Sequence, residues 1–102
     1  MSRLEALESI VAQDPSNSLA RYGLAQEYAN AGDYVRAVAE YKALLEVSPN
    51  YCYAYFHGGQ ALEKLGNQEE ARRMYERGIE AASRVGDEHA RSEIQGALDS
   101  LK

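Results

Sequence analysis

The side chains best equipped for chemistry in this 102-residue chain are few: His57, His89 and the single cysteine, Cys52. A metal centre needs several convergent ligands, and acid–base or nucleophilic catalysis needs a base beside a nucleophile. The two histidines fall on different helical segments, neither with a partner at ligand spacing, so His57 reads as a hydrogen-bonding residue and His89 as a solvent-facing one. No cation neighbours Cys52 in sequence to lower its thiol pKa, and one cysteine cannot close an internal disulfide. Gly58-Gly59 is no phosphate loop, because it lies within a helical pattern and lacks a following Lys-Ser or Lys-Thr. Arg72, Arg73 and Arg77 make the only basic cluster, and Glu69, Glu70, Glu76 and Glu80 dilute it into a solvated face of mixed sign. No enzyme constellation, metal or cofactor is expected.

The totals narrow the class further. A formal charge of -5 would repel a phosphate backbone, so nucleic acid is not the expected partner. With 45% hydrophobic residues, 2 prolines and no tryptophan, the composition favours one all-helical domain over a strand-and-turn architecture. No apolar run approaches the roughly 20 residues that span a bilayer, and Met1 leads straight into the charged segment Ser2 to Gln13. Neither a membrane span nor a signal peptide is expected, and the lone thiol suits a cytoplasmic location.

The elements that would carry any binding surface come from a repeat of 34 residues. At that offset Pro15 pairs with Pro49, Ala20 with Ala54, Gln26 with Gln60, Gly32 with Gly66, Ala37 with Ala71 and Tyr41 with Tyr75. Conservative pairs fill in between, such as Tyr22 with Phe56 and Ala25 with Gly59. Gly32-Asp33 and Gly66-Asn67 split each unit into two helices, since glycine accepts the left-handed C-terminal position and Asp or Asn caps the next helix. Glu70, three places after Asn67, adds a variant of the capping box. Helices are predicted over 2–13, 17–31, 34–47, 51–65, 68–84 and 88–101. Residues 1–14 read as half a repeat, 15–48 and 49–82 as full repeats and 83–102 as a cap. The cap turns Ala90, Ile94, Ala97, Leu98 and Leu101 inward and leaves Asp87, Glu88, Arg91, Glu93, Asp99 and Lys102 largely to water.

Leu24, Tyr28, Ala37, Tyr41 and Pro49 in the first unit, with Tyr55, Gly59, Ala71 and Tyr75 in the second, resemble the tetratricopeptide-repeat (TPR) pattern. Departures are Arg21 for tryptophan and Ala25 for glycine in the first unit, and Gly58, Leu62 and Ser83 for leucine, tyrosine and proline in the second. Ser83 should let the fifth helix run on toward Val85 and Gly86. The resemblance implies a right-handed superhelical stack of antiparallel hairpins. Small Ala25, Ala37, Gly59 and Ala71 would lie where helices approach closely, and the large residues would fill the gaps between them, tyrosine hydroxyls reaching water or a carbonyl. Gly58 and Gly59, each costing about 1 kcal/mol in a helix interior, need such compensation.

In the family the first helix of each hairpin lines a concave groove that holds a peptide or partner helix. Carried over by position, that groove would comprise Leu19, Tyr22, Gln26, Asn30, Tyr53, Phe56, His57, Gln60, Lys64 and Arg91. Its aromatic centre suits an anchored ligand, because rigid buried aromatics supply interface hot spots worth about 2 kcal/mol or more. The residues Tyr22, Gln26, His57, Asp87 and Arg91 do not reproduce the carboxylate-gripping set of the chaperone-binding subgroup, so an apolar peptide or helix is the expected partner. Two alternatives share these features: Tyr22 and Phe56 pack only within the chain, or the aromatic patch or the stripe Leu4, Leu7 and Val11 joins two chains into a homodimer.

Overall fold

Helices in this chain start where a short polar side chain can take up free backbone amides. In the computed structural model, which describes residues 1–101, Ser2 accepts from the Glu5 amide, Asn17 from Ala20, Asp33 from Arg36, Asn67 from Glu70 and Asp87 from Ala90, at 3.0–3.2 Å. Each such cap is worth about 0.5–2 kcal/mol. The helices that follow are α1 (Arg3–Gln13), α2 (Ser18–Asn30), α3 (Tyr34–Val47), α4 (Cys52–Lys64), α5 (Gln68–Val85) and α6 (Glu88–Ser100). Only α4 starts without a side-chain cap, after Tyr51. Gly32, Gly66 and Gly86 hold left-handed conformations (φ 81°, 79° and 72°) that end or separate the helices. Lys102, expected on the polar face of the last helix, lies outside the described residues.

Two local details differ from expectation. The reciprocal capping box sits at α1, where the Ser2 amide also donates to Glu5 at 3.1 Å. At α5 the Glu70 carboxylate takes the Asn67 side-chain amide instead of its backbone and also pairs with Lys42 across to α3. Helix α5 runs on to Val85, as the missing proline at Ser83 allows. In consequence α6 starts 36 residues after α4, whereas α4 starts 34 after α2.

Successive helices pack antiparallel, α1 on α2, α2 on α3, and so on to α6, and α4 also touches α6. No comparable packing joins α3 to α5 among the described residues. α2 and α4, which meet through Tyr22 and His57, and α6, which packs on α4, share one side of the stack. Its core alternates small and large residues: Ala25, Ala37, Ala54 and Ala71 are sealed, and Tyr41, Tyr75, Leu44 and Ile94 fill the spaces beside them. A Cβ on Gly59 would stand 2.2 Å from the Tyr75 ring, so the bare backbone there is what lets α4 and α5 meet. The hydroxyls of the buried tyrosines reach side chains as well as a carbonyl: Tyr28 donates to Glu8 at 2.8 Å, Tyr41 to Gln26 at 3.0 Å and Tyr75 to Glu63, while Tyr55 donates to the Pro49 carbonyl at 2.7 Å. Arg21, standing where the repeat pattern has tryptophan, spans from the Pro15 carbonyl to Glu40 at 2.8 Å and ties α2 to α3 by charge as well as packing.

Candidate functional site

The inner side of the stack is built from α2 and α4, with α6 at one end. Because the side chains of a helix recur every three to four residues, Leu19, Tyr22 and Gln26 share one face of α2, and Tyr53, Phe56, His57 and Gln60 one face of α4. Their rings form a continuous row. Tyr22 lies 5.1 Å from Tyr51 and 5.9 Å from His57, centroid to centroid; His57 lies 5.1 Å from Phe56 and 6.5 Å from Tyr53; and Phe56 meets Tyr53 at 6.3 Å with planes at 89°. These residues are all half-buried, resting on the core yet facing solvent. Beneath them lies sealed Tyr41, 6.1 Å from Tyr22 and 6.4 Å from His57.

A relay of hydrogen bonds fixes the row from below. Tyr41 donates to the Gln26 carbonyl oxygen and the Gln26 amide donates to the Tyr22 hydroxyl at 3.1 Å, so one glutamine orients two rings. His57 Nδ1 pairs with Gln60 at 3.2 Å. Burial pushes the His57 imidazole below its ordinary value and the Tyr22 and Tyr41 phenols above theirs. At neutral pH the row is therefore uncharged. Burial likewise raises the Cys52 thiol, helped by Asp87, so the sulfur is no thiolate.

The structure groups the sequence-predicted residues into separate neighbourhoods. Gln26, Asn30, His57, Gln60 and Lys64 line a hollow of about 420 Å³ and mixed polarity between the C-terminal halves of α2 and α4, with Tyr34 and Glu63. Leu19 and Tyr22 face a second hollow, of about 500 Å³, whose far wall is Arg3, Leu7 and Ile10 of α1. Leu19 is 73% exposed. Tyr53 and Phe56 close the row toward α6. Arg91 does not join it: the guanidinium is held by Glu88 of its own helix at 2.9 Å. The two-residue lengthening ahead of α6 explains this, because buried Ala90 and Ile94 match buried Ala54 and Gly58, which sets Glu93 in the place of His57. Glu93, and not Arg91, acts on both Tyr53 and His57. Sequence reasoning also missed Tyr51, which precedes α4 and therefore falls outside any helical stripe.

Helical hairpins stacked with their first helices on the inside define a helical-repeat solenoid. Tetratricopeptide-repeat models match residues 4–58 and 53–84. A TPR repeat-containing protein of Pseudomonas aeruginosa is 33% identical over 98 residues, 96% of this chain and 93% of that protein. The chain belongs to the tetratricopeptide-repeat family. A TPR domain protein from Salinibacter ruber, solved in solution, superposes with a TM-score of 0.81 at 35% identity, covering 87% of this chain and 90% of that one. The crystal structure of PcrH in complex with the chaperone binding region of PopD superposes at 0.90, over 96% of this chain and 74% of that one; at 16% identity the likeness is one of fold.

Proposed function

We propose that this protein is an interaction module that holds a segment of a partner protein along the inner face of α2 and α4. The observation that carries the reading is the uncharged ring row Tyr51, Tyr22, His57, Phe56 and Tyr53, preorganised by Gln26 and left half-exposed. Rigid aromatics on a locked support lose little entropy on binding, which is how interface anchors gain their affinity. Leu19 and Tyr22 would seat an apolar side chain at the α1 end, while Gln26, Asn30, Gln60 and Lys64 would serve the backbone and polar groups of the segment. PcrH, which shares the fold, is complexed with a region of PopD, and that precedent favours a peptide over a small molecule.

Leu19 is exposed enough that Leu19→Glu leaves the core untouched, and Phe56→Ser removes the ring at the far end of the row. Both variants are expected to keep the wild-type helical signal and to lose partners that wild type retains in a pull-down. Unchanged partners for both would sink the proposal. A second reading is favoured by the hollow that Leu7, Ile10 and Leu19 leave at the α1 end: two copies could bury it against each other. Light scattering across a concentration series tests it, and a monomer at the highest concentration removes it.

A further inference from the structure

The ring row changes character where it reaches α6. Tyr53 and Phe56 stand at right angles and make a corner, and the packing of α6 on α4, with Ala90 and Ile94 in the register of Ala54 and Gly58, brings the carboxylates of α6 to it: Glu93 at the position matching His57, and Asp87 at the helix start. Glu93 lies 2.6 Å from His89 Nε2 on its own helix, yet its side chain stays 40% exposed and can take another donor. Neighbouring cations are committed or turned away, Arg91 to Glu88 and Arg84 to Asn50, while Lys64 lines the hollow at the opposite end of α4. A guanidinium or ammonium over an aromatic face is attracted by the ring quadrupole within about 6 Å, and more strongly with a carboxylate behind it.

Resting on the reading of the row as a docking face, we infer that the bound protein segment carries a lysine or arginine side chain that lies across Tyr53 and Phe56 with its charge against Glu93, and an apolar side chain toward Leu19 and Tyr22. The partner is therefore amphipathic in a fixed direction, apolar at the α1 end and basic at the α6 end. The overall charge of -5 on this chain favours the same partner at long range.

A random-peptide library displayed on phage, selected against the full chain, tests this. Wild type is expected to enrich lysine or arginine about threefold or more at one spacing from an apolar residue, and a selected peptide should bind Glu93→Lys about tenfold more weakly. Glu93 is exposed, so the variant should melt like wild type. Apolar enrichment without basic residues, or equal binding to Glu93→Lys, overturns the inference and leaves the docking face standing. No enrichment, or the same peptides from a Leu19→Glu/Phe56→Ser double variant, overturns the docking face and the inference with it.

Discussion

Two adjacent glycines in the middle of α4 should respond in opposite directions to the same substitution. Each gives up about 1 kcal/mol of helix propensity relative to alanine. At Gly58 a new methyl would rest 3.4 Å from Met74 Cε and Tyr41 Cβ, ordinary contact against a flexible methionine, so Gly58→Ala should stabilise by about 0.5–1 kcal/mol. At Gly59 it would lie 2.2 Å from Tyr75 Cε1 and 2.7 Å from two more ring atoms. Restoring carbon–carbon contact requires a separation of about 1.3 Å, since such atoms sit at about 3.5–4.0 Å. The ring cannot yield easily, because Tyr75 is fully sealed and its hydroxyl is held by Glu63. Overpacking of this kind costs about 1–3 kcal/mol. The repeat itself limits the cost: Ala25 occupies the equivalent position within the first hairpin, where α2 and α3 pack around a methyl, so α4 and α5 can separate to admit one. After a propensity gain of about 1 kcal/mol, Gly59→Ala should destabilise by up to about 2 kcal/mol. Thermal unfolding followed by circular dichroism at 222 nm reads both, with about 4–8 °C per kcal/mol in a domain of this size. Gly96→Ala, on α6 with nothing within 4 Å of the new atom, calibrates the propensity gain alone. A Gly59→Ala protein as stable as Gly58→Ala would refute the close-approach argument.

Two further outcomes follow from the polar contacts. The Tyr75 hydroxyl donates to Glu63 between helices, so Tyr75→Phe should cost about 1–2 kcal/mol in urea unfolding, and Glu63→Gln, which keeps an acceptor, should cost less; equal losses would contradict this and show that the bond stabilises only through its charge. Burial holds the His57 imidazole below its ordinary value of 6.5, against weaker upward pulls from Gln60 and Glu93. Below 6.5 the unfolded chain binds a proton that the folded one resists, so this contribution is fully present above that value and is lost as pH falls through it toward the folded pKa. Unfolding free energy should therefore drop less between about pH 7.5 and about pH 5.5 in His57→Gln than in wild type, and parallel profiles would contradict the assignment.

The fold was legible because its signals are local or periodic. Gly32, Asp33, Gly66 and Asn67 mark turns by their own backbone chemistry, and the 34-residue offset pairs Tyr41 with Tyr75 whatever surrounds them. Gly59 could be read as a close approach because a glycine in a helix interior needs a reason. The ring neighbourhoods could not be read in the same way. Tyr51 joins the row from outside a helix, and the α1 wall that faces Leu19 and Tyr22 depends on how two helices cross. His57 was readable as a hydrogen-bonding residue, but its immersion among rings depends on Tyr22 and Tyr41 arriving from other helices.

The least legible feature has the largest consequence for binding. A strict 34-residue offset carries His57 onto Arg91 and predicts a basic group at the end of the row. Ser83, in the place of the proline that ends the repeat, lets α5 run on to Val85, and the two extra residues rotate α6 so that Glu93 arrives instead. Helix length here sets the sign of the charge at the α6 end of the ring row. The register and the ligand preference can therefore be separated by experiment. Deleting two residues between Ser83 and Gly86 should bring Arg91 to the corner beside Tyr53 and reverse the selected charge from basic to acidic. Glu93→Lys changes the charge without moving the helix, and should do the same. Reversal in the point variant but not in the deletion would mean that α6 keeps its present packing through Ala90 and Ile94 regardless of the length of α5, and that the register argument, though not the charge argument, is wrong.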